Sequence, residues 1–234
     1  MLKHASIYAR KRYLIMSMNY LISTLTLITV VTLCFSCEAQ KKKSDPVRKI
    51  ELKAPEGKAI AAFAEGCFWC SEHIFEAVVG VDSAVSGYAG GTTANPTYEL
   101  VNTETTGHAE TVLVYYDPKI INFQELTKVF FTSHDPTTPD QQGPDKGSSY
   151  RSILFYLTPE EKKIAKTSLD QFSSSGIFKN PIVTEVKKLT AFYRAEQYHQ
   201  DYIEHNPGSP YVQGVSLPRY ELFKKTYQGA LKQR

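Results

Sequence analysis

Only four cysteines occur in the 234 residues, and none follows Cys70. After residue 58 there is no Cys pair besides Cys67 and Cys70, and His73, His108, His134, His199 and His205 show no finger-like spacing, so a structural zinc site in the domain has nothing to build on. Long apolar runs are equally scarce. One is present, from Tyr20 to Phe35, and nothing after it is long and apolar enough to span a bilayer as a helix. A basic surplus is missing as well. Residues 1–36 hold four basic residues (Lys3, Arg10, Lys11, Arg12) and no acid, so the formal +3 of the whole chain becomes 23 basic against 24 acidic residues, a net of −1, for the rest. That removes the charge argument for nucleic-acid binding. No internal repeat and no low-complexity tract follows residue 58. Hydrophobic residues make up 42% of the chain and aromatics 12%, which is ample for one sizeable core and a single domain.

The basic N-terminus followed by Tyr20–Phe35 has the length and order of a secretory signal over residues 1–36. The run ends Leu33-Cys34-Phe35-Ser36-Cys37. A small residue before a cysteine, after an apolar run, resembles a bacterial lipoprotein site, at which Cys37 becomes the lipid-bearing first residue. The alternative is an ordinary cut near Ala39. The expectation is export across the cytoplasmic membrane, with the domain periplasmic or held at a membrane by a lipid. Residues 37–58, with Lys41-Lys42-Lys43, Pro46, Pro55 and Gly57, read as a flexible tether. The domain is then expected over 59–228.

Within it, strands and helices take turns. Strands are predicted at Ala59–Ala64, Asp82–Tyr88, His108–Tyr116, Ser152–Leu157 and Ile182–Leu189. Helices are predicted at Cys67–Val79, Phe123–Ser133, Thr158–Phe172 and Glu196–His205, the third opened by the capping box Thr158-Pro159-Glu160-Glu161. This alternation argues a two-layer α/β or α+β fold. Two loops, 90–107 and 134–150, are long for a compact domain, and loops of that length are commonly functional. With no coiled-coil or long apolar edge pattern, a monomer is expected.

Gly66-Cys67-Phe68-Trp69-Cys70 is the strongest chemical feature. It lies where a strand meets a helix. Gly66 permits a tight turn, and Cys67 then sits at a helix N-terminus, where backbone N–H groups favour a thiolate. Cys67, Cys70, Ile74, Ala77 and Val78 share one helical face, so Cys70 lies one turn below Cys67, with Cβ atoms roughly 5–6 Å apart. A purely structural disulfide would close a tiny loop and stabilise little. The pair therefore reads as redox-active, with Cys67 titrating well below a free thiol.

The same segment resembles the signature of the A-type methionine sulfoxide reductases, the peptide-methionine (S)-S-oxide reductases. Gly87-Tyr88-Ala89-Gly90-Gly91, Asn95-Pro96-Thr97-Tyr98, Thr106-Gly107-His108-Ala109-Glu110, Gly147-Ser148-Ser149-Tyr150-Arg151-Ser152 and Ala195-Glu196-Gln197-Tyr198-His199-Gln200-Asp201-Tyr202 resemble further family segments in family order. The resemblance covers roughly 59–215. It implies a ferredoxin-like mixed-sheet core, no metal and no organic cofactor. It implies reduction of the S epimer of methionine sulfoxide, free or in proteins, with a thioredoxin-type reductant. Many family members carry resolving cysteines near the C-terminus; here that end has none, which leaves Cys70 and a two-cysteine cycle.

The resemblance also assigns roles. A sulfoxide oxygen leaves only when protonated, so the site needs a sulfur nucleophile and a proton donor. Cys67 is the nucleophile. Glu110 is the donor: it shares a strand face with Val112 and Val114, where a carboxyl is raised toward neutrality. Tyr98 and Tyr150 hydrogen-bond the oxygen. Phe68 and Trp69 form the pocket for the substrate methyl group. Asp145 positions water or neighbouring groups, and His199 and Tyr202 support. Cys70 converts the Cys67 sulfenic acid to a disulfide. Two other functions remain open on the residues alone. One is an exported thioredoxin-like disulfide oxidoreductase, although Gly66 stands where such proteins carry Trp. The other is a non-enzymatic lipoprotein braced by a disulfide.

Overall fold

A segment as small and apolar as Ala59–Ala64 invites burial on both faces. In the computed structural model, which describes residues 47–233, it receives it. The elements in chain order are β1 (Arg48–Ile50), β2 (Ala59–Glu65), α1 (Phe68–Glu76), β3 (Val81–Ala89), α2 (Tyr98–Val101), β4 (Ala109–Tyr116) and α3 (Phe123–Ser133). There follow β5 (Gln141–Gln142), β6 (Asp145–Lys146), β7 (Ser152–Tyr156), α4 (Pro159–Ser174), β8 (Glu185–Lys188), β9 (Phe192–Arg194), α5 (Tyr202–His205) and α6 (Leu217–Thr226).

Seven strands form one sheet in the order β1-β9-β3-β4-β2-β7-β8. Every pairing is antiparallel except the parallel β7–β8, so the sheet is mixed. Its centre is β2-α1-β3-β4-α3-β7 with strand order β3-β4-β2-β7, the ferredoxin-like arrangement that was expected. The pleat divides the apolar residues between two layers. Phe63, Val112, Val114 and Leu154 face α1 and α3 and pack against Ile74, Phe75, Leu126 and Phe130. Ile60, Ala62, Ala64, Leu113, Ile153 and Phe192 face the other way. The predicted capping box is present: Glu161 N donates to Thr158 Oγ1 at 3.1 Å and Thr158 N to Glu161 Oε2 at 3.1 Å.

Several boundaries differ from expectation. The signal (1–36), Cys37 and the tether up to residue 46 lie outside the described residues. The rest of the expected tether belongs to the domain. Arg48–Ile50 pairs with β9, and Ile50, Leu52 and Ala54 alternate so that all three pack on the second layer of core. The domain likewise runs past 228, because Val79 N donates to Ala230 O at 3.0 Å and Lys232 N to Ala77 O at 2.7 Å. The helix expected at 196–205 is two short turns, Gln197–His199 and Tyr202–His205. Gln200 breaks it: its amide is buried and bonds Ser86 N and O of β3 at 3.2 and 3.1 Å, and Asp201 beyond it takes a left-handed φ of 52°. Tertiary hydrogen bonds override local helix preference here. Among the described residues no helix is long and apolar enough to cross a membrane.

Candidate active site

β2 delivers the chain into α1 through Gly66, whose φ of +92° is the left-handed region, and a Cβ there would stand 2.4 Å from Gln142 Cβ. Only glycine fits this turn, which fixes where Cys67 begins the helix. Gly66→Ala is expected to lower stability by about 1–3 kcal/mol, read as a shift in the urea unfolding midpoint. Cys67 caps α1: its carbonyl accepts from Cys70 N at 3.2 Å and Ser71 N at 3.3 Å. Both cysteines are free and buried.

One cavity of about 340 Å³ is lined by Cys67, Phe68, Trp69, Tyr98, Glu110, Asp145, Tyr150, Tyr202 and Tyr211. It gathers residues from five separate stretches of chain. Eight of these nine were singled out from the sequence; Tyr211 was not. Cys70 is the exception among the expected site residues. It opens instead into a second cavity of about 740 Å³, whose wall includes Asp145, Tyr211 and Arg219.

The supports of the first cavity explain its shape. Trp69 stacks on Tyr202 at 3.7 Å between centroids and 7° between planes, and its Nε1 donates to His199 Nδ1 at 3.1 Å. Phe68 is fully buried against Tyr88 and His199. Tyr98 is set by Glu196, which accepts from Tyr98 N at 3.0 Å and from Tyr88 Oη at 2.9 Å. Tyr150 ends a 3₁₀ turn that Glu104 holds: its carboxylate accepts from Ser148 Oγ at 2.6 Å, Ser149 N at 2.8 Å and Ser149 Oγ at 2.8 Å. Glu104 thus ties the two long loops, one bearing Tyr98 and the other Tyr150. Asp145, on the short β5–β6 hairpin, accepts a hydrogen bond from Tyr211 Oη.

The electrostatics favour a neutral acid beside a sulfur. Glu110 is 2% exposed and accepts one hydrogen bond, from Phe68 N at 2.9 Å. Burial outweighs that bond, and with Asp145, Cys70 and Glu104 adding negative charge the carboxyl is pushed up to about 8. It therefore keeps its proton at pH 7. Burial also raises Tyr98 and Tyr150, so both hydroxyls stay donors.

The sulfurs depart from expectation. Cys67, expected to titrate low, is pushed well above the ordinary thiol range by burial, then by Cys70 beside it and by Glu110, with Tyr211 opposing. Cys70 is drawn down to about 6, chiefly by a hydrogen bond from Cys67, with burial opposing and Arg219 and Ser216 assisting. The substrate-free pair holds one proton on Cys67 and the negative charge on Cys70. No group of three or more His, Cys, Asp or Glu side chains converges to hold a metal ion among the described residues.

The family model for peptide methionine sulfoxide reductase matches residues 59–231. The chain is 44% identical over 183 residues to peptide methionine sulfoxide reductase MsrA 1 of Rhodopirellula baltica, covering 78% of this chain and 94% of that protein. It is 50% identical over 167 residues to the MsrA of Methanosarcina mazei, covering 71% and 79%. Among solved structures, Mxr1 from Saccharomyces cerevisiae in reduced form superposes with a TM-score of 0.62 at 33% identity, over 70% of this chain and 91% of that one. Methionine sulfoxide reductase A of Corynebacterium diphtheriae gives 0.60 at 32%, over 70% and 84%. The matched span takes in the whole cavity, from the strand before Gly66 to the turn bearing Tyr211, and by that span and those identities the chain belongs to the peptide methionine sulfoxide reductase family.

Proposed function

We propose that the chain reduces the S epimer of methionine sulfoxide, free or in proteins, by a two-cysteine cycle that a thioredoxin-type protein restores. The observation that carries this reading is that Cys67 and Glu110 line one cavity. A sulfur and a carboxyl on separate cavities could not act on one sulfoxide.

The chemistry runs as follows. Phe68 and Trp69 hold the methyl group of the substrate, and Tyr98 and Tyr150 donate to its oxygen. Cys67 Sγ attacks the sulfoxide sulfur, and the Cys67 proton passes to Cys70. Glu110 gives its proton to the oxygen; the bond from oxygen to the substrate sulfur breaks, an S–O bond to Cys67 Sγ forms, and the transient bond between Cys67 Sγ and the substrate sulfur breaks with its electron pair left on methionine. Methionine leaves and Cys67 is a sulfenic acid. Cys70 Sγ then attacks Cys67 Sγ; the S–S bond forms, the S–O bond breaks, and the hydroxyl departs as water with the proton that Cys70 held. Glu110 recovers one proton from solvent. The disulfide is returned to two thiols by an external dithiol, itself oxidised.

Epimer-resolved turnover by the full chain is the test. The expected result is consumption of the S epimer alone, supported by a thioredoxin-type protein. Insulin reduction with no sulfoxide turnover would instead favour a disulfide oxidoreductase.

A further inference from the structure

Behind Cys70 lies a buried cluster that the cycle above does not use. Cys70 Sγ is 3.3 Å from Ser216 Oγ. Ser216 closes a π-helical turn, Val212–Ser216, that runs directly into α6, and such turns concentrate at functional sites. One turn on, Arg219 reaches the same cavity wall as Cys70. Its guanidinium is fixed from two sides: Nη2 donates to Glu65 Oε1 at 2.8 Å and Nε to Ser133 O at 2.7 Å. Ser133 Oγ in turn donates to the second oxygen of Glu65 at 2.7 Å. The third nitrogen, Nη1, lies within 3.7 Å of where a Cβ on Gly66 would stand, so the cation sits beside the turn that carries Cys67.

We propose that Arg219 and Ser216 are positioning residues that hold Cys70 as a thiolate aimed at Cys67, with Glu65 tuning how much of the Arg219 charge the sulfur receives. The inference rests on the reading in which Cys70 resolves the sulfenic acid. In that step Cys70 gives up its proton to the departing hydroxyl and its sulfur is oxidised to the disulfide as Cys67 is reduced from sulfenic acid, so the attacking charge must develop in a buried place. Arg219 is one cation between two acids. Glu65, wholly buried, is raised mainly by burial, with Arg219 and Ser133 opposing and Cys70 adding to the rise; both its oxygens accept hydrogen bonds, from Arg219 and Ser133, so it is the counter-ion of the guanidinium. Cys67 hydrogen-bonds Cys70, and Asp145 faces it as a like charge. Tyr211, also on the cavity wall, is raised by burial and then by both sulfurs, and stays neutral. His134, 3.7 Å from Glu65, is held down to about 3 by burial and Arg219, so it adds no second cation near neutrality. Asp135 and Lys179 also line this cavity, and of its two cations Arg219 is the one that draws the Cys70 thiol down.

The test is the titration of Cys70 followed by thiolate absorbance in a Cys67→Ser background, where the serine hydroxyl keeps the hydrogen bond. Glu65→Gln leaves Arg219 to the sulfur alone, and the Cys70 midpoint should fall. Glu65→Gln with Arg219→Met removes cation and counter-ion together, so no charge is left buried unpaired, and the midpoint should rise by roughly 1–3 pH units. With Cys67 restored, disulfide closure at pH 7 in the double variant should slow about tenfold for each unit by which the midpoint rises above 7. A merely structural cluster would not drive the two midpoints in opposite directions. Midpoints that stay put, or move the same way, overturn the inference. A separate result judges the reading beneath it: if Cys70→Ser yields no methionine in a single turnover, the assignment of Cys70 fails whatever the midpoints do.

Discussion

Glu110→Gln should slow the first turnover by about two to four orders of magnitude and leave the fold intact. A loss of that size is about 2.7–5.4 kcal/mol of barrier, which is what a positioned proton donor supplies. The substitution is close to isosteric. The amide oxygen can still accept the hydrogen bond that Phe68 N gives Glu110 at 2.9 Å, so the start of α1 keeps its anchor. What is lost is the proton. In the native enzyme burial pushes the carboxyl up to about 8, so the donor is present below that pH and absent above it. The native single-turnover rate should therefore fall as pH rises through about 8, and the Gln variant should lack that limb. Stability gives an independent control. A carboxyl whose folded pKa is raised contributes its stability below its unfolded value and loses it as pH rises through about 8. Gln cannot ionise, so the variant should unfold at a temperature equal to or above that of the native protein at pH 9. Rapid-quench measurement of methionine, with thermal unfolding beside it, decides the matter. A first turnover within a few-fold of native would move the proton donor elsewhere, to Tyr98 or Tyr150.

How much of this was legible in the sequence depends on distance along the chain. The segment 66–70 carries its own geometry, because a glycine at a turn, a cap and a three-residue spacing are all local. The central β2-α1-β3-β4-α3-β7 order was legible from periodicity and caps, since each of those elements buries a patterned face. The short edge strands were not. β1 and β9 have three residues each, too few to show a period, and they exist because their neighbours offer backbone partners. The cavity was readable only as a set of residues matching a family, not as a shape, because Tyr98 and Tyr150 are held by Glu196 and Glu104 from distant loops. Tyr211, Ser216 and Arg219 were missed for the same reason. α6 is mostly polar and shows no clear apolar stripe, and its importance lies in one largely buried guanidinium facing β2 from 154 positions away. The titration order of the two thiols is set chiefly by burial of Cys67 and by the hydrogen bond it gives Cys70, with that guanidinium assisting, and local reading of the helix start gave the opposite order.

Cys70→Ser should separate the two halves of the cycle. In the presence of a thioredoxin-type reductant, steady-state turnover should collapse, while a reductant-free reaction still yields one methionine per chain. The reason is in the placement of the two sulfurs. Cys70 is absent from the wall of the cavity that holds Cys67 and Glu110, and lines the neighbouring one. Replacing it leaves the aromatic wall and the proton donor in place. Amplitude is the quantity to read, not rate, because in the native pair Cys70 also takes the Cys67 proton and its loss slows the attack. After that single event Cys67 has no partner. It stays a sulfenic acid, which a sulfenate-selective carbon nucleophile should trap in the variant and not in the native protein, where the disulfide forms instead. Cys67→Ser gives the opposite pattern, no methionine at all, since the sulfur that opens the reaction is gone. A Cys70→Ser enzyme that turns over continuously with the same reductant would show that the external thiol attacks the sulfenic acid directly, and that the buried pair at the start of α1 is not the route by which the oxygen leaves.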